Sequence, residues 1–304
     1  MKPVGTFSEM MRLAAARPSL AKIAVVNPVD NGSIHALELA LENRIARFLL
    51  VGDQNLPDAL PPRLAADPGI EILSIPAADP DALARAAVDA VKKGHADVLM
   101  KGLVNTDNYL RALLDKQNGL LTPGNLLTHL SVAQLPGYHK LLFFSDVAVI
   151  PYPTLDQRRA IIRYDLATCR QLGIEEPKVA LIHFTEKVNP KFPNSTDYVT
   201  LCHEAAQGLF GKVSMSGPMD VKTACDAHSA QVKGIQSDVC GNADILIFPN
   251  IESGNTFYKT ITLFGNALIA GILQGADCPI ILPSRSDSSE SKLASVALAC
   301  AVAR

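Results

Sequence analysis

Short, nearly unbroken apolar runs alternate with helix-like segments along this chain, and that alternation constrains the fold more than any single residue. KIAVVNPV (22–29), RFLLVGD (47–53), EILSIP (71–76), DVLMKG (97–102) and LLFFSDVAVIPYP (141–153) are rich in Val, Ile, Leu and Phe and end at Gly, Pro or Asp. Runs this apolar suit strands buried on both faces. Between them SIHALELALENRI (33–45) and DPDALARAAVDAVKKG (79–94) read as helices, the second with Asp79 as N-cap, Pro80 in the first turn and Gly94 at its end. The repetition predicts an α/β chain with mainly parallel sheets.

The pattern restarts after Pro153. A helix over 155–173 leads to a strand over 178–184, a polar loop over 185–196 and a helix over 197–210. The segment 212–220, a strand over 244–249, a long helix, a strand over 279–283 and a closing helix follow. At 304 residues the chain has length for two domains. The expected division is 1–149 with 284–304, the last helix returning to the first unit, and 150–283 as the second.

Charge narrows the partners. Twenty-eight Lys+Arg against thirty Asp+Glu give a net charge of −2, so no basic surplus draws the chain to nucleic acid or an anionic membrane, and neither partner is expected. An anionic substrate must then be caught by a local cluster of cations and amides. Six cysteines at 169, 202, 225, 240, 278 and 300 show no CxxC spacing and read as reduced thiols. The opening twenty residues carry Glu9, Arg12 and Arg17 and lack the apolar core of a signal peptide. The uncharged run Thr260 to Ala276 is too short and too polar to span a bilayer. A soluble, cytoplasmic protein is expected.

Three strand-to-helix junctions hold candidate chemistry, because ligands of open parallel sheets bind where strands end. In PIILPSRSDSSESKL (279–293), Ser284, Arg285, Ser286 and the helix start form either an anion site or an ordinary cap, Asp287 with Glu290 or Ser288 with Ser291. Arg285 favours the anion site. In DILIFPNIESGNTFYKTI (244–261), Ser253, Gly254, Asn255, Thr256 and Lys259 form either a binding loop or a glycine turn. In DVLMKGLVNTDNYLRALL (97–114), Lys101 interrupts an apolar strand end and Asn105 and Thr106 open a helix. No GxGxxG, P-loop, GxSxG or HExxH occurs, and no metal site is expected.

Together, DVCGNADILIFPNIESGNTFYKTI, ILPSRSDSSESKLASVALA, SGPMDVKTACDAH (216–228) and DVAVIPYPTLDQRRAII (146–162) resemble the phosphate acetyltransferase/phosphate butyryltransferase family, from about Ala96 to the C-terminus. GILQGADCPIILPSRSDSSESKL is similar to the butyryl branch. The resemblance implies two doubly wound domains of isocitrate/isopropylmalate dehydrogenase-like architecture with the active site in the interdomain cleft. It implies acyl-CoA plus phosphate exchanging for acyl phosphate plus coenzyme A, with no permanently bound cofactor and a homodimer or larger homo-oligomer.

On this reading Arg285 clamps phosphate, Ser284 stabilises the oxyanion, and Glu290 or Asp287 deprotonates the coenzyme thiol. The substrate- and coenzyme-binding set is Lys101, Asn105, Thr106, Ser253, Gly254, Asn255, Thr256, Lys259, Ser286, Asp287 and Ser291. Ser291 stands where the acetyl branch carries an aspartate base, and Thr262 and Leu263 occupy the region of an expected arginine. The alternatives are an acyl-CoA-binding relative that has lost the base, and a metal-dependent dehydrogenase of the isopropylmalate or hydroxythreonine-phosphate type.

Overall fold

The computed structural model describes residues 2–76, 79–284 and 287–303. Its strands are β1 (Lys22–Val26), β2 (Arg47–Asp53), β3 (Ile70–Ile75), β4 (Val98–Lys101), β5 (Thr128–Gln134), β6 (Leu142–Ser145), β7 (Lys178–Ile182), β8 (Ser214–Met219), β9 (Ile245–Ile247), β10 (Leu268–Gln274) and β11 (Ile280–Ile281). The fold is α/β, and most strand pairs are parallel.

The chain forms two compact units, one of 7–127 with 270–304 and one of 1–6 with 128–269. These breaks differ from the expected 149/150 and 283/284. Pairing explains the difference: β5 and β6 form an antiparallel pair, so 128–149 goes with the strands after it. In the same way β10 pairs antiparallel with β11, which carries 270–283 into the unit of the first strands.

In the unit that begins at Phe7, the strand order is β3-β2-β1-β4-β11-β10. β1 and β4 are almost wholly buried, whereas β3 at the edge is half-exposed despite its apolar sequence. The helices Asn31–Glu42 and Ser289–Val302 pack together, and the second also packs on Phe7–Ala15. In the other unit the order is β5-β6-β9-β7-β8, and edge strand β8 accommodates Pro218. Its core gathers Phe144, Phe248, Leu246, Ile182 and Met219, with Phe257 packed edge-on to Phe144 at 5.2 Å.

Each unit fastens its central strands with the same device. Asp97, ahead of β4, accepts from the Lys22 amide at 2.8 Å and donates its own amide to the Lys22 carbonyl at 2.7 Å. Asp244, ahead of β9, makes the same exchange with Lys178 at 2.8 Å each way, and Lys140 completes its carboxylate at 2.5 Å.

Four expectations are corrected. The run 141–153 is a strand only through Ser145, because the buried Asp146 accepts from the amides of Ala148 and Val149 at 2.8 and 2.9 Å and turns the chain. The polar stretch 185–196 is not wholly loop, since Pro193 opens the helix Pro193–Ala206. The expected strand 279–283 shrinks to Ile280–Ile281 between two prolines. Finally, β5 and β10 are strands where none was expected, one of them polar and the other broken by Gly271.

One buried acid makes stability depend on pH. Asp165, on the helix Leu155–Gln171, accepts from Ser145 Oγ at 3.1 Å, and its Oδ2 has no hydrogen-bond partner among the described residues. Burial holds its carboxyl well above the ordinary range, the Ser145 bond opposes that, and Asp146 adds to it. The native state therefore keeps a proton that the unfolded chain releases, so stability falls as pH rises above the unfolded carboxylate value. Asp165→Asn does not titrate. Its stability relative to the wild type is expected to increase from acid to neutral pH, read as the difference in denaturant midpoints. A constant difference would overturn this.

Candidate active site

The carboxyl ends of β1, β4 and β11 meet at a pocket of about 390 Å³. Asp30, Ser33, Pro80, Lys101, Gly102, Asn105, Ser284 and Lys292 are among its lining residues. The loops after β1 and β4 are knitted together: the Gly102 amide donates to the Val26 carbonyl, the Leu103 amide to Asn27, and Asn27 Nδ2 returns to the Leu103 carbonyl at 2.9 Å. A Cβ on Gly102 would stand 2.4 Å from the Val26 carbonyl oxygen, so glycine is required for that approach.

Two ammonium groups are buried here. Lys101 is 7% exposed and Lys292 6%. Lys101 Nζ lies 3.4 Å from the Gly102 carbonyl. Lys292 Nζ lies 3.5 Å from Asp30 Oδ1 and directly over Gly32, where a Cβ would approach it to 2.3 Å. Asp30 caps the helix Asn31–Glu42 by accepting from the Ser33 amide at 2.9 Å. Burial pushes its carboxyl up, but Ser33 and Lys292 outweigh that and hold it below the usual aspartate range.

Of the residues singled out in the sequence, Lys101, Asn105 and Ser284 line this pocket together. Asn105 is the N-cap of Thr106–Leu113 and makes no side-chain capping bond; Thr106 is exposed and outside the lining. Arg285 and Ser286 lie outside the described residues. Asp287 is drawn into its own loop, accepting from the Ser284 amide at 2.8 Å and donating its amide to the Ser284 carbonyl at 3.1 Å. Ser288 caps the last helix by accepting from the Ser291 amide at 3.2 Å, so the cap exists. Glu290 is exposed, and hydrogen bonds from its own amide and from Ser288 hold its carboxyl below the usual glutamate range.

Asp30, Ser33 and Lys292 were not singled out. Lys292 carried a signal: a cation in the first turn of a helix opposes the helix dipole, so a buried one has another reason to be there.

The second group of candidates belongs to the other unit. SGNT is not a loop but the first turns of the helix Ile251–Leu263, capped by Asn250, which accepts from the Ser253 amide at 2.9 Å. Gly254 lies against the turn after β6, where a Cβ would meet the Asp146 carbonyl oxygen at 2.4 Å, and Asn255 Nδ2 donates to the Val147 carbonyl at 3.0 Å. Ser253 and Thr256 line a cavity of about 1050 Å³ with Arg158, His183, Phe184 and Phe192. Lys259 is outside that lining, its ammonium 4.5 Å from the Tyr258 ring centre.

The six cysteines are free. Burial pushes the thiols of Cys202 up to about 11 and of Cys225, Cys278 and Cys300 up to about 12, the opposite of an activated nucleophile. Among the described residues no group of three or more His, Cys, Asp or Glu could hold a metal ion, and no helix is long and apolar enough to cross a membrane.

Residues 81–300 match the family described as Phosphate acetyl/butaryl transferase. The chain is 36% identical over 301 residues to a phosphate butyryltransferase of Clostridium acetobutylicum, covering 99% of both chains. It is 33% identical over 289 residues to a phosphate acetyltransferase of Thermotoga maritima, covering 95% of this chain and 97% of that one. Among solved structures it is similar to a branched-chain phosphotransacylase from Enterococcus faecalis, with TM-score 0.79 and 26% identity, covering 94% of this chain and all of that one.

Gly32 and Gly254 make contrasting forecasts. Ala at 32 collides with the flexible tip of Lys292, which can swing away, so Gly32→Ala is expected to fold and to bind inorganic phosphate at least several-fold more weakly. Ala at 254 collides with backbone, and Gly254→Ala is expected to lose about 1–3 kcal/mol of stability. Calorimetric phosphate titration and thermal melting of both variants separate the two effects.

Proposed function

Because this chain belongs to the phosphate acetyl/butyryl transferase family, we propose that it transfers a short-chain acyl group, butyryl or acetyl, reversibly between coenzyme A and inorganic phosphate. The observation that carries the site assignment is the pocket in which two buried lysines, the Ser284 side chain and the N-terminus of Asn31–Glu42 converge. Helix N-termini and buried cations suit a phosphate oxyanion. Lys101 and Lys292 hold phosphate, Asn105 and Ser284 orient it, and Arg285 clamps it in fork geometry.

Thiolysis of acyl phosphate makes the roles explicit. The coenzyme thiol loses its proton to Glu290, and its sulfur attacks the acyl carbon. The C–S bond forms, the C–O bond to phosphate breaks, and phosphate leaves into the lysine pocket. Negative charge on the acyl oxygen is met by Ser284 and the amides that follow it. The raised thiols of the buried cysteines favour direct transfer over an acyl-cysteine intermediate.

Coenzyme A is a co-substrate, assigned to the 1050 Å³ cavity with Ser253 and Thr256 on its wall. Gly254 and Asn255 shape that wall by holding the turn after β6. Thr106, Lys259, Ser286, Asp287 and Ser291 complete the proposed binding set. Two doubly wound domains of the isocitrate/isopropylmalate dehydrogenase kind, a cytoplasmic setting and a homodimer or larger homo-oligomer belong to the same proposal; light scattering tests the last.

Thiol release from a panel of acyl-CoAs, with and without phosphate, tests the activity. Butyryl-CoA is expected to react at least as well as acetyl-CoA, and release independent of phosphate would defeat the reading. Arg285→Ala is expected to lower the rate by several orders of magnitude without a shift in melting temperature, and Arg285→Lys to recover part of it. Glu290→Gln is expected to slow thiolysis and to be partly rescued as pH rises and more coenzyme ionises unaided. A Glu290→Gln rate unchanged at neutral pH would remove Glu290 as the base.

A further inference from the structure

The loop between β7 and the helix Pro193–Ala206, FTEKVNPKF (184–192), has no part in the chemistry described so far. It opens and closes on phenylalanines whose rings meet edge-on at 5.0 Å, and both line the 1050 Å³ cavity. Phe184 is 68% exposed and Phe192 39%, which is costly for two aromatic rings unless something covers them. The buried His183 packs against both, 4.5 Å from Phe184 and 5.6 Å from Phe192, and its Nδ1 lies 3.0 Å from the Thr185 carbonyl. The exposed pair is therefore braced from behind.

The charges on and around the loop are sorted. Glu186 is paired with Lys233 at 2.5 Å, and Asp220 on the cavity wall is paired with the same lysine. Glu252, the other acid of the wall, accepts from the Tyr152 hydroxyl. Lys187 and Lys191 are exposed and make no ion pair among the described residues. Arg158, 5% exposed, lines the cavity with its Nε 3.7 Å from Asp197 Oδ2 and its Nη1 donating to the Pro249 carbonyl at 3.1 Å.

We propose that loop 184–192 is a clasp for the 3′-phospho-ADP end of coenzyme A, with Phe184 and Phe192 packing on the adenine ring and Lys187 and Lys191 facing the phosphates. A purine offers a flat π-face for which exposed aromatic rings are a sequence-tolerant partner, and it arrives with phosphates that two unpaired lysines attract. The proposal rests on the acyl-CoA reading above and adds which part of the coenzyme the loop holds.

The test compares butyryl-CoA with butyryl-pantetheine, which carries the same thioester without the nucleotide. The readout is the ratio of KM for butyryl-pantetheine to KM for butyryl-CoA in phosphate-dependent thiol release. Phe184→Ala and Phe192→Ala are each expected to lower that ratio about tenfold or more. The double variant Lys187→Gln/Lys191→Gln is expected to lower it several-fold and to flatten the salt dependence of KM for butyryl-CoA. Val199→Ala, exposed on the neighbouring helix outside the cavity lining, is expected to leave the ratio at the wild-type value. A ratio unchanged in both phenylalanine variants overturns the clasp. If the wild type releases no thiol from either thioester, the acyl-transfer reading fails instead. Calorimetric titration with coenzyme A, wild type against Phe184→Ala, then decides the clasp: weaker binding supports it and equal binding overturns it.

Discussion

Two ammonium groups held out of water in one small pocket are the constraint on which the site depends. Taking a lysine from water is costly unless its charge is met. Lys101 and Lys292 share a lining whose one carboxylate, Asp30, is already engaged by Ser33. The described lining brings two lysines and one aspartate together at the positive end of the helix Asn31–Glu42. A dianion such as phosphate is the ligand we propose for this pocket, and inside a desolvated pocket each contact with it counts for more than at the surface.

Holding that geometry falls to the strands beneath it. Lys101 ends β4, which lies between β1 and β11, and the Asp97–Lys22 exchange fixes where β4 starts relative to β1. A slip of one residue would turn Lys101 to the other face of the sheet. Gly102 then lets the next loop close on the Val26 carbonyl, which sets the direction in which Asn105 starts its helix. The other unit repeats the logic with Asp244 and Lys178, and with Gly254 set against the turn at Asp146.

Much of this was legible in the sequence, and the parts that were not share a cause. Apolar runs revealed β1, β2, β4, β6, β7 and β9 because strands buried on both faces leave no room for polar residues. β5 and β10 escaped because THLSVAQ is polar and LIAGILQ carries a glycine, and the pairing that makes them strands is tertiary. Lys101, Asn105 and Ser284 were visible as polar residues at strand ends. Asp30 and Ser33 were hidden because an aspartate three residues before a serine has the ordinary spacing of a helix cap, which it also is. The stop at Ser145 was hidden because nothing local marks Asp146 as a buried acceptor for the amides that follow it.

Lys292 shows how a stability argument can point to function. At the fourth position of its helix a lysine side chain works against the helix dipole, and burial adds a desolvation cost. Asp30 at 3.5 Å offsets part of that, but an aspartate committed to capping a helix is a weak reason to bury a lysine. Gly32 makes the case stronger, since a side chain there would meet the ammonium, with a Cβ only 2.3 Å from it. Two locally unfavourable choices, the buried Lys101 and the buried Lys292, and the glycine at 32 all serve to place positive charge in one pocket. Selection for stability alone would not bring them together, whereas the anion binding proposed for this pocket accounts for each.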